Sequence, residues 1–319
     1  MPRLFVLPVL LALVMPCRAA FGAENPPDPC AASVARTPPG SAAPAGKADM
    51  PFSQGLLWKV ERPGIAPSYI YGTIHLDVLW VTQLPPRVNL LFARSRSLVT
   101  EVELGAAANA LYRKRMLLPA GESLKRMLQP ALFSRYLKIA VDYYRLDAKT
   151  AAHLKPWAAT NLLARPRPTT GVVLDDALQR RARSVGKPVH ALQTMSELIG
   201  DLESMPKRDQ IKVLDNTICN HSRLMKQVPK LLQIYRNQDL RALMALNQEG
   251  PHDDEALFQR MMKHMLYDRN VLMVKRMQPY LDRGQAFVAV GSLHLPGRRG
   301  ILALLEKRGY SITRVAINL

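Results

Sequence analysis

Three cysteines in 319 residues leave little room for thiol chemistry. None forms a Cys-x-x-Cys pair, which excludes the common dithiol redox site and the zinc knuckle. Aromatic residues are few, at 6%, and Lys and Arg are scattered rather than gathered in a stripe, so a nucleic-acid partner is not indicated. After residue 23 no continuous apolar run is long enough to span a bilayer. His-Glu-x-x-His, Gly-x-Ser-x-Gly and a Walker loop are all missing, which argues against the common zinc proteases, α/β-hydrolases and nucleotide hydrolases.

What is present starts with an export pattern. Arg3, the apolar run Leu4 to Met15 and the small residues Ala19, Ala20 and Ala23 read as a signal peptide over residues 1–23, cleaved on delivery to the periplasm. Pro16 stands before Cys17 where a lipoprotein signal needs a small residue, so lipid anchoring is not expected. Residues 24–53 are rich in Pro, Ala, Gly and Ser and read as a flexible linker, because they hold too little apolar surface to offset ordering entropy. The folded domain is expected over 54–319. In an oxidising compartment Cys30 and Cys219 can form a disulfide or remain unpaired, and sequence does not choose. The net charge of +19 suits either a solvated basic surface or contact with anionic envelope polysaccharide or a lipid surface.

Apolar periodicity outlines an α/β fold with two strand, Gly-x-x-His, helix, strand units at the chain ends. Strands are expected at Leu56 to Val60, Ser68 to Tyr71 and Leu98 to Leu104, with a helix from Pro86 to about Arg94 between the last two. Residues 106–285 are mainly helical in pattern, interrupted by a strand at Pro188 to Leu192 after a helix over 174–185. The run Ala286 to Val290 is uninterrupted, as in a strand covered on both faces, and a helix from about Arg299 to Lys307 and a strand from Tyr310 to Ile317 close the chain.

Two Gly-x-x-His motifs stand at matching places, Gly72-Thr73-Ile74-His75 and Gly291-Ser292-Leu293-His294. Seventeen glycines and seven histidines produce roughly 0.4 such pairs by chance. Both follow an apolar strand, and loops leaving the carboxyl ends of parallel strands are where ligands bind. Glycine there permits a close approach, and an imidazole three residues on can point into the crevice as a ligand for a divalent transition metal. Glu101 and Glu103 lie two apart in one expected strand and so share a face, either on an internal strand or on a wet edge. His75, His294 and Glu101 then form a candidate ligand set with an open position for a water. Glu103 is a candidate for orienting ligands or moving protons. His153, His190, His221, His252 and His264 lack ligand spacing and read as structural.

Several further stretches accompany these motifs: Leu57-Trp58-Lys59-Val60, Leu84-Pro85-Pro86, Leu118-Pro119 with Gly121-Glu122, Leu154-Lys155-Pro156-Trp157 and Asp268-Arg269-Asn270. Together they resemble the TraB/GumN family over about residues 55–318. That family includes the Tiki proteins, described as metal-dependent proteases acting on Wnt. The resemblance implies a mixed central sheet with helices around it and a metal-dependent site, the metal being manganese, cobalt or zinc. By motif, His75, Glu101 and His294 match the family's functional positions, and Arg269 and Asn270 match its Arg-Asn pair. Many bacterial members carry Leu-Glu-Thr where this chain has Leu192-Gln193-Thr194. The implied activity is a periplasmic metal-dependent hydrolase, with a peptide or protein substrate and a metal-activated water. The alternative is a non-catalytic accessory of envelope polysaccharide production that binds acidic glycans.

Overall fold

The computed structural model describes Cys30 and residues 50–248 and 254–319. The expected signal peptide, most of the expected linker and His252 lie outside the described residues. Among the described residues six strands form one sheet: β1 (Leu57–Arg62), β2 (Ile65–Thr73), β3 (Ser97–Val102), β4 (Val189–Gln193), β5 (Ala286–Gly291) and β6 (Ser311–Val315). Their order is β4-β3-β5-β2-β1-β6. The four strands β4, β3, β5 and β2 run parallel, while β1 pairs antiparallel with both β2 and β6. The sheet is therefore mixed, with helices packed around it.

The parallel part decides where chemistry can sit. All four parallel strands end on one edge of the sheet, at Thr73, Val102, Gln193 and Gly291. β5 lies between β2 and β3, and every residue of Ala286–Gly291 is buried. That agrees with its uninterrupted apolar sequence. The two Gly-x-x-His strands are direct neighbours, with Gly72 opposite Val290 and Thr73 opposite Gly291.

Seven helices matter to the site: α1 (Pro86–Arg94), α2 (Pro156–Leu163), α3 (Leu174–Ser184), α4 (Met195–Ser204), α5 (Lys207–Arg236), α6 (Arg269–Arg283) and α7 (Ile301–Glu306). Proline at the first turn starts α1 and α2, where no intrahelical acceptor is needed for its missing N–H. Thr194 and Glu197 form a capping box at the start of α4, each side chain satisfying a backbone N–H of the other's turn. α6 packs across β2, β3, β4 and β5, and α3 packs on β3 and β4.

Two apolar cores meet along β3. Leu98 and Val99 belong to a core built on the sheet, whereas Val102 and Leu104 belong to a helical core with Trp157, Leu198 and Ile218. The 30 residues of α5 bridge them, placing Leu214 and Ile218 in the second core and Leu231 and Tyr235 in the first. Among the described residues no helix is long and apolar enough to cross a membrane.

Of the linker expected over 24–53, the described residues Cys30 and 50–53 are held by the fold. Cys30 is buried in the helical core and bonded to Cys219 of α5 across a sequence separation of 189. Phe52 stacks edge-on against Trp58, and the carbonyls of Pro51 and Ser53 accept from Gly297 and Leu240. A link between residues so far apart removes much unfolded-chain entropy. Reduction should lower the unfolding free energy by about 4 kcal/mol. Urea denaturation with and without reductant, together with non-reducing peptide mapping of the Cys30–Cys219 link, checks this.

Candidate functional site

The carboxyl edge of the parallel strands gathers the residues that the sequence singled out. Glu101 lies one residue before the end of β3 and is 2% exposed. Its Oε2 accepts from Arg269 Nη2 at 2.7 Å, and its Oε1 accepts from the Gly291 N–H at 2.6 Å. The same Oε1 is 3.7 Å from His294 Nε2. A carboxylate this deep is tolerable only with such partners.

The two histidines are each held from behind. His75 donates through Nδ1 to Asp175 Oδ2 at 2.9 Å, and Thr73 Oγ1 donates to Asp175 Oδ1 at 3.1 Å. His294 Nδ1 lies 2.6 Å from Asn270 Oδ1. The Asn270 amide nitrogen donates to the Arg299 carbonyl at 2.9 Å, which leaves its oxygen to face the ring, so Nδ1 is the protonated nitrogen. In both rings Nε2 is left for the site. Carboxylate or amide support on the far nitrogen is the usual way a ligating imidazole is oriented.

Gly291 is the point on which these groups converge. A Cβ added there would stand 3.1 Å from Glu101 Oε1, 3.4 Å from His294 Cδ2 and 3.5 Å from His75 Nε2. Gly72 serves a different purpose. A Cβ on it would meet Leu295 Cδ1 at 2.8 Å and the Ser292 backbone at 3.2 Å. The first motif's glycine thus lets the second motif's loop pack against β2, and the second motif's glycine leaves the space that the functional groups face.

The supports come from distant elements. Arg269 and Asn270 open α6 directly after a π-helical turn at Lys263–Asp268. Neighbouring helical residues point about 100° apart; Arg269 reaches Glu101 and Asn270 reaches His294. Asp77 Oδ2 accepts from the N–H groups of Thr169, Thr170 and Gly171, each at 2.6 Å. That bond network ties the His75 loop to the segment leading into α3, which carries Asp175. Gln179 of α3 donates to Thr100 Oγ1 and the Val102 carbonyl and accepts from the Leu104 N–H, closing the end of β3.

Electrostatics divide the two imidazoles. Burial pushes His294 down to about 4, with Arg269 and His75 acting in the same direction against Glu101, so its ring is neutral near pH 7. Burial also lowers His75, but the charge and hydrogen bond of Asp175, aided by Glu101, outweigh it and raise the group above its ordinary value. Burial raises Glu101, yet His294, which is protonated at the low pH where Glu101 titrates, together with Arg269, His75 and the Gly291 N–H, holds it well below the carboxylate range. With His294 neutral, Arg269 is the permanent counter-charge.

His75, Glu101, His294, Arg269 and Asn270 are therefore brought together. Glu103 is not. β3 stops at Val102, so the alternation that would place Glu103 beside Glu101 has ended, and its side chain is 61% exposed and paired with Arg183 at 2.9 Å. The histidines read as structural have ordinary partners: His153 the Lys149 carbonyl, His190 the Tyr280 ring, His221 the Tyr144 hydroxyl and His264 the Ser204 hydroxyl. Asp175, Thr73 and Asp77 were not singled out from sequence. The Asp175-Asp176 pair looks like ordinary acid at a helix start, and its one distinguishing sign is that Asp175 and Gln179, four apart, flank the apolar stripe of Leu174, Leu178 and Ala182.

Removing one partner of a buried ion pair strands the other. Arg269→Met should lower the unfolding free energy by about 3–5 kcal/mol, and adding Glu101→Gln should recover most of that loss. Denaturant titration of the two variants against the parent checks the coupling.

A family model described as the TraB/PrgY/gumN family matches residues 56–314. Metalloprotease TIKI2 of Danio rerio is 24% identical over 330 residues, covering 83% of this chain and 62% of that relative. Metalloprotease TIKI1 of the same organism is 26% identical over 314 residues, covering 80% of this chain and 62% of the relative. A Metalloprotease TIKI homolog of Amphimedon queenslandica is 23% identical over 321 residues, covering 82% and 61%. The chain thus spans somewhat over three-fifths of the length of these curated relatives. No solved structure matches it. The match over most of its length, ending in the second Gly-x-x-His unit, shows that this chain belongs to the TraB/PrgY/gumN family.

Proposed function

We propose that the chain is an exported metal-dependent hydrolase acting on peptide bonds, with a divalent ion held by His75 Nε2, His294 Nε2 and Glu101 Oε1. The observation that carries this reading is the convergence of these three groups on the side-chain-free space at Gly291. Relatives named metalloproteases support the choice of peptide bonds.

The fit to a metal is one of donor chemistry and orientation. Two imidazole nitrogens and one carboxylate oxygen form a familiar set for manganese, cobalt or zinc. Each imidazole already spends its other nitrogen on a fixed partner, Asp175 or Asn270. Among the described residues no group of three His, Cys, Asp or Glu side chains stands at closed ligand spacing. The site as it stands is pre-oriented rather than closed. The ion, when bound, supplies Lewis-acid polarisation and activation of water. The protein's own groups orient: Asp175 and Thr73 fix His75, Asn270 fixes His294, and Arg269 with the Gly291 N–H fixes Glu101. At 11% exposed, the His75 side chain is the most open of the three.

The accessory reading, binding to acidic glycans, rests on the net charge of +19 and on the gumN part of the family match, and on no feature of the site. Elemental analysis of the protein purified from the periplasm without chelator should find a stoichiometric divalent transition metal. His75→Ala and His294→Ala should lose it. Gly291→Ala, whose Cβ would crowd Glu101 Oε1 at 3.1 Å, should weaken it on the order of tenfold. The loaded protein should cleave unstructured peptides and stop on chelation. Metal content unchanged in both histidine variants removes the basis of the proposal.

A further inference from the structure

Arg269 gives Glu101 only part of its guanidinium. Its Nε–H turns the other way and donates to Gln193 Oε1 at 2.8 Å. Gln193 is the last residue of β4 and is buried, and its Nε2 donates to Asp201 Oδ2 of α4 at 2.9 Å. A glutamine amide can present either its oxygen or its nitrogen to a neighbour. Here the neighbours remove the choice. Guanidinium only donates and carboxylate only accepts, so one amide orientation satisfies both and the reverse satisfies neither.

We infer that Asp201 and Gln193 are positioning residues, which hold Arg269 so that Glu101 turns Oε2 to the guanidinium and leaves Oε1 facing the two imidazoles. The role given to Oε1 rests on the metal-site reading, whereas the ordering of Arg269 does not. The spacing also explains why a neutral amide suits position 193. A carboxylate there would stand about 2.9 Å from the Asp201 oxygen, and two like charges at that separation resist joint ionisation. It would also compete with Glu101 for the guanidinium charge. Placing the acid at 201, one hydrogen bond farther out, keeps that charge on Glu101.

Exchange of the Arg269 Nε–H with solvent reads the inference directly. In protein labelled with 15N-arginine, the signal is assigned by its absence in Arg269→Lys. Asp201→Ala should speed its exchange roughly tenfold, in line with loss of one part-buried charge-assisted bond, while the other arginine signals stay near those of the parent. Asp201→Asn keeps an acceptor oxygen and should restore most of the protection. Manganese titration should show weaker binding in Asp201→Ala, on the order of tenfold, and recovery in Asp201→Asn. Gln193→Leu removes both bonds and should reproduce the exchange effect if Asp201→Ala fails to fold. Unchanged Arg269 exchange in a folded Asp201→Ala or Gln193→Leu overturns the inference. A parent protein that binds none of manganese, cobalt and zinc, yet shows faster Arg269 exchange in Asp201→Ala, keeps it and removes the metal reading.

Discussion

Glu101 sets the terms for the whole site. A carboxylate near the end of an internal strand loses most of its hydration, and the fold must return an equivalent set of partners. Here they are the Arg269 guanidinium and the Gly291 N–H, 168 and 190 positions farther along the chain. Both have to arrive together. The Gly291 N–H requires β5 to lie beside β3, and the guanidinium requires α6 to cross the strands with its first turn at their carboxyl edge. Strand order and helix placement are thus tied to the electrostatics of one side chain.

The same arrangement supplies what a ligand site needs. β5 sits between β3 and β2, so the arrival of Gly291 beside Glu101 also brings His294, and the adjacent β2 brings His75. Each imidazole is turned by a partner on a helix, Asp175 on α3 or Asn270 on α6. Those helices gain their positions from apolar contacts elsewhere, Leu174 and Leu178 on one and Met273 and Met277 on the other, all within the core built on the sheet. Packing energy from a large core therefore stabilises a small set of polar orientations that would not hold alone.

Some of this was readable in the residues. The paired glycine and histidine spacing, the apolar β5 and the acid at 101 all reflect local needs, because strand alternation and glycine's missing side chain act over a few positions. The family resemblance added Arg269 and Asn270. Glu103 shows the limit of alternation: sharing a face is guaranteed only while the strand continues, and β3 ends at Val102. Asp175 was hidden among acids that commonly start helices. The Cys30–Cys219 pairing stayed open, since a residue in a Pro- and Ala-rich stretch has no local sign that decides whether it bonds to one 189 positions away.

The chain by itself determined the class of fold, the two strand-and-histidine units, the helical middle and three donors of the candidate ligand set. Those features depend on periodicity and on residue chemistry, both of which are local. Only the tertiary structure decided that the two units lie side by side in parallel. It also decided that Gly72 and Gly291 do different work, and that Gln193 links Arg269 to Asp201. Hydrogen bonds and ion pairs between distant segments depend on distances held to within a few tenths of an ångström, and no spacing along one strand or helix carries that information.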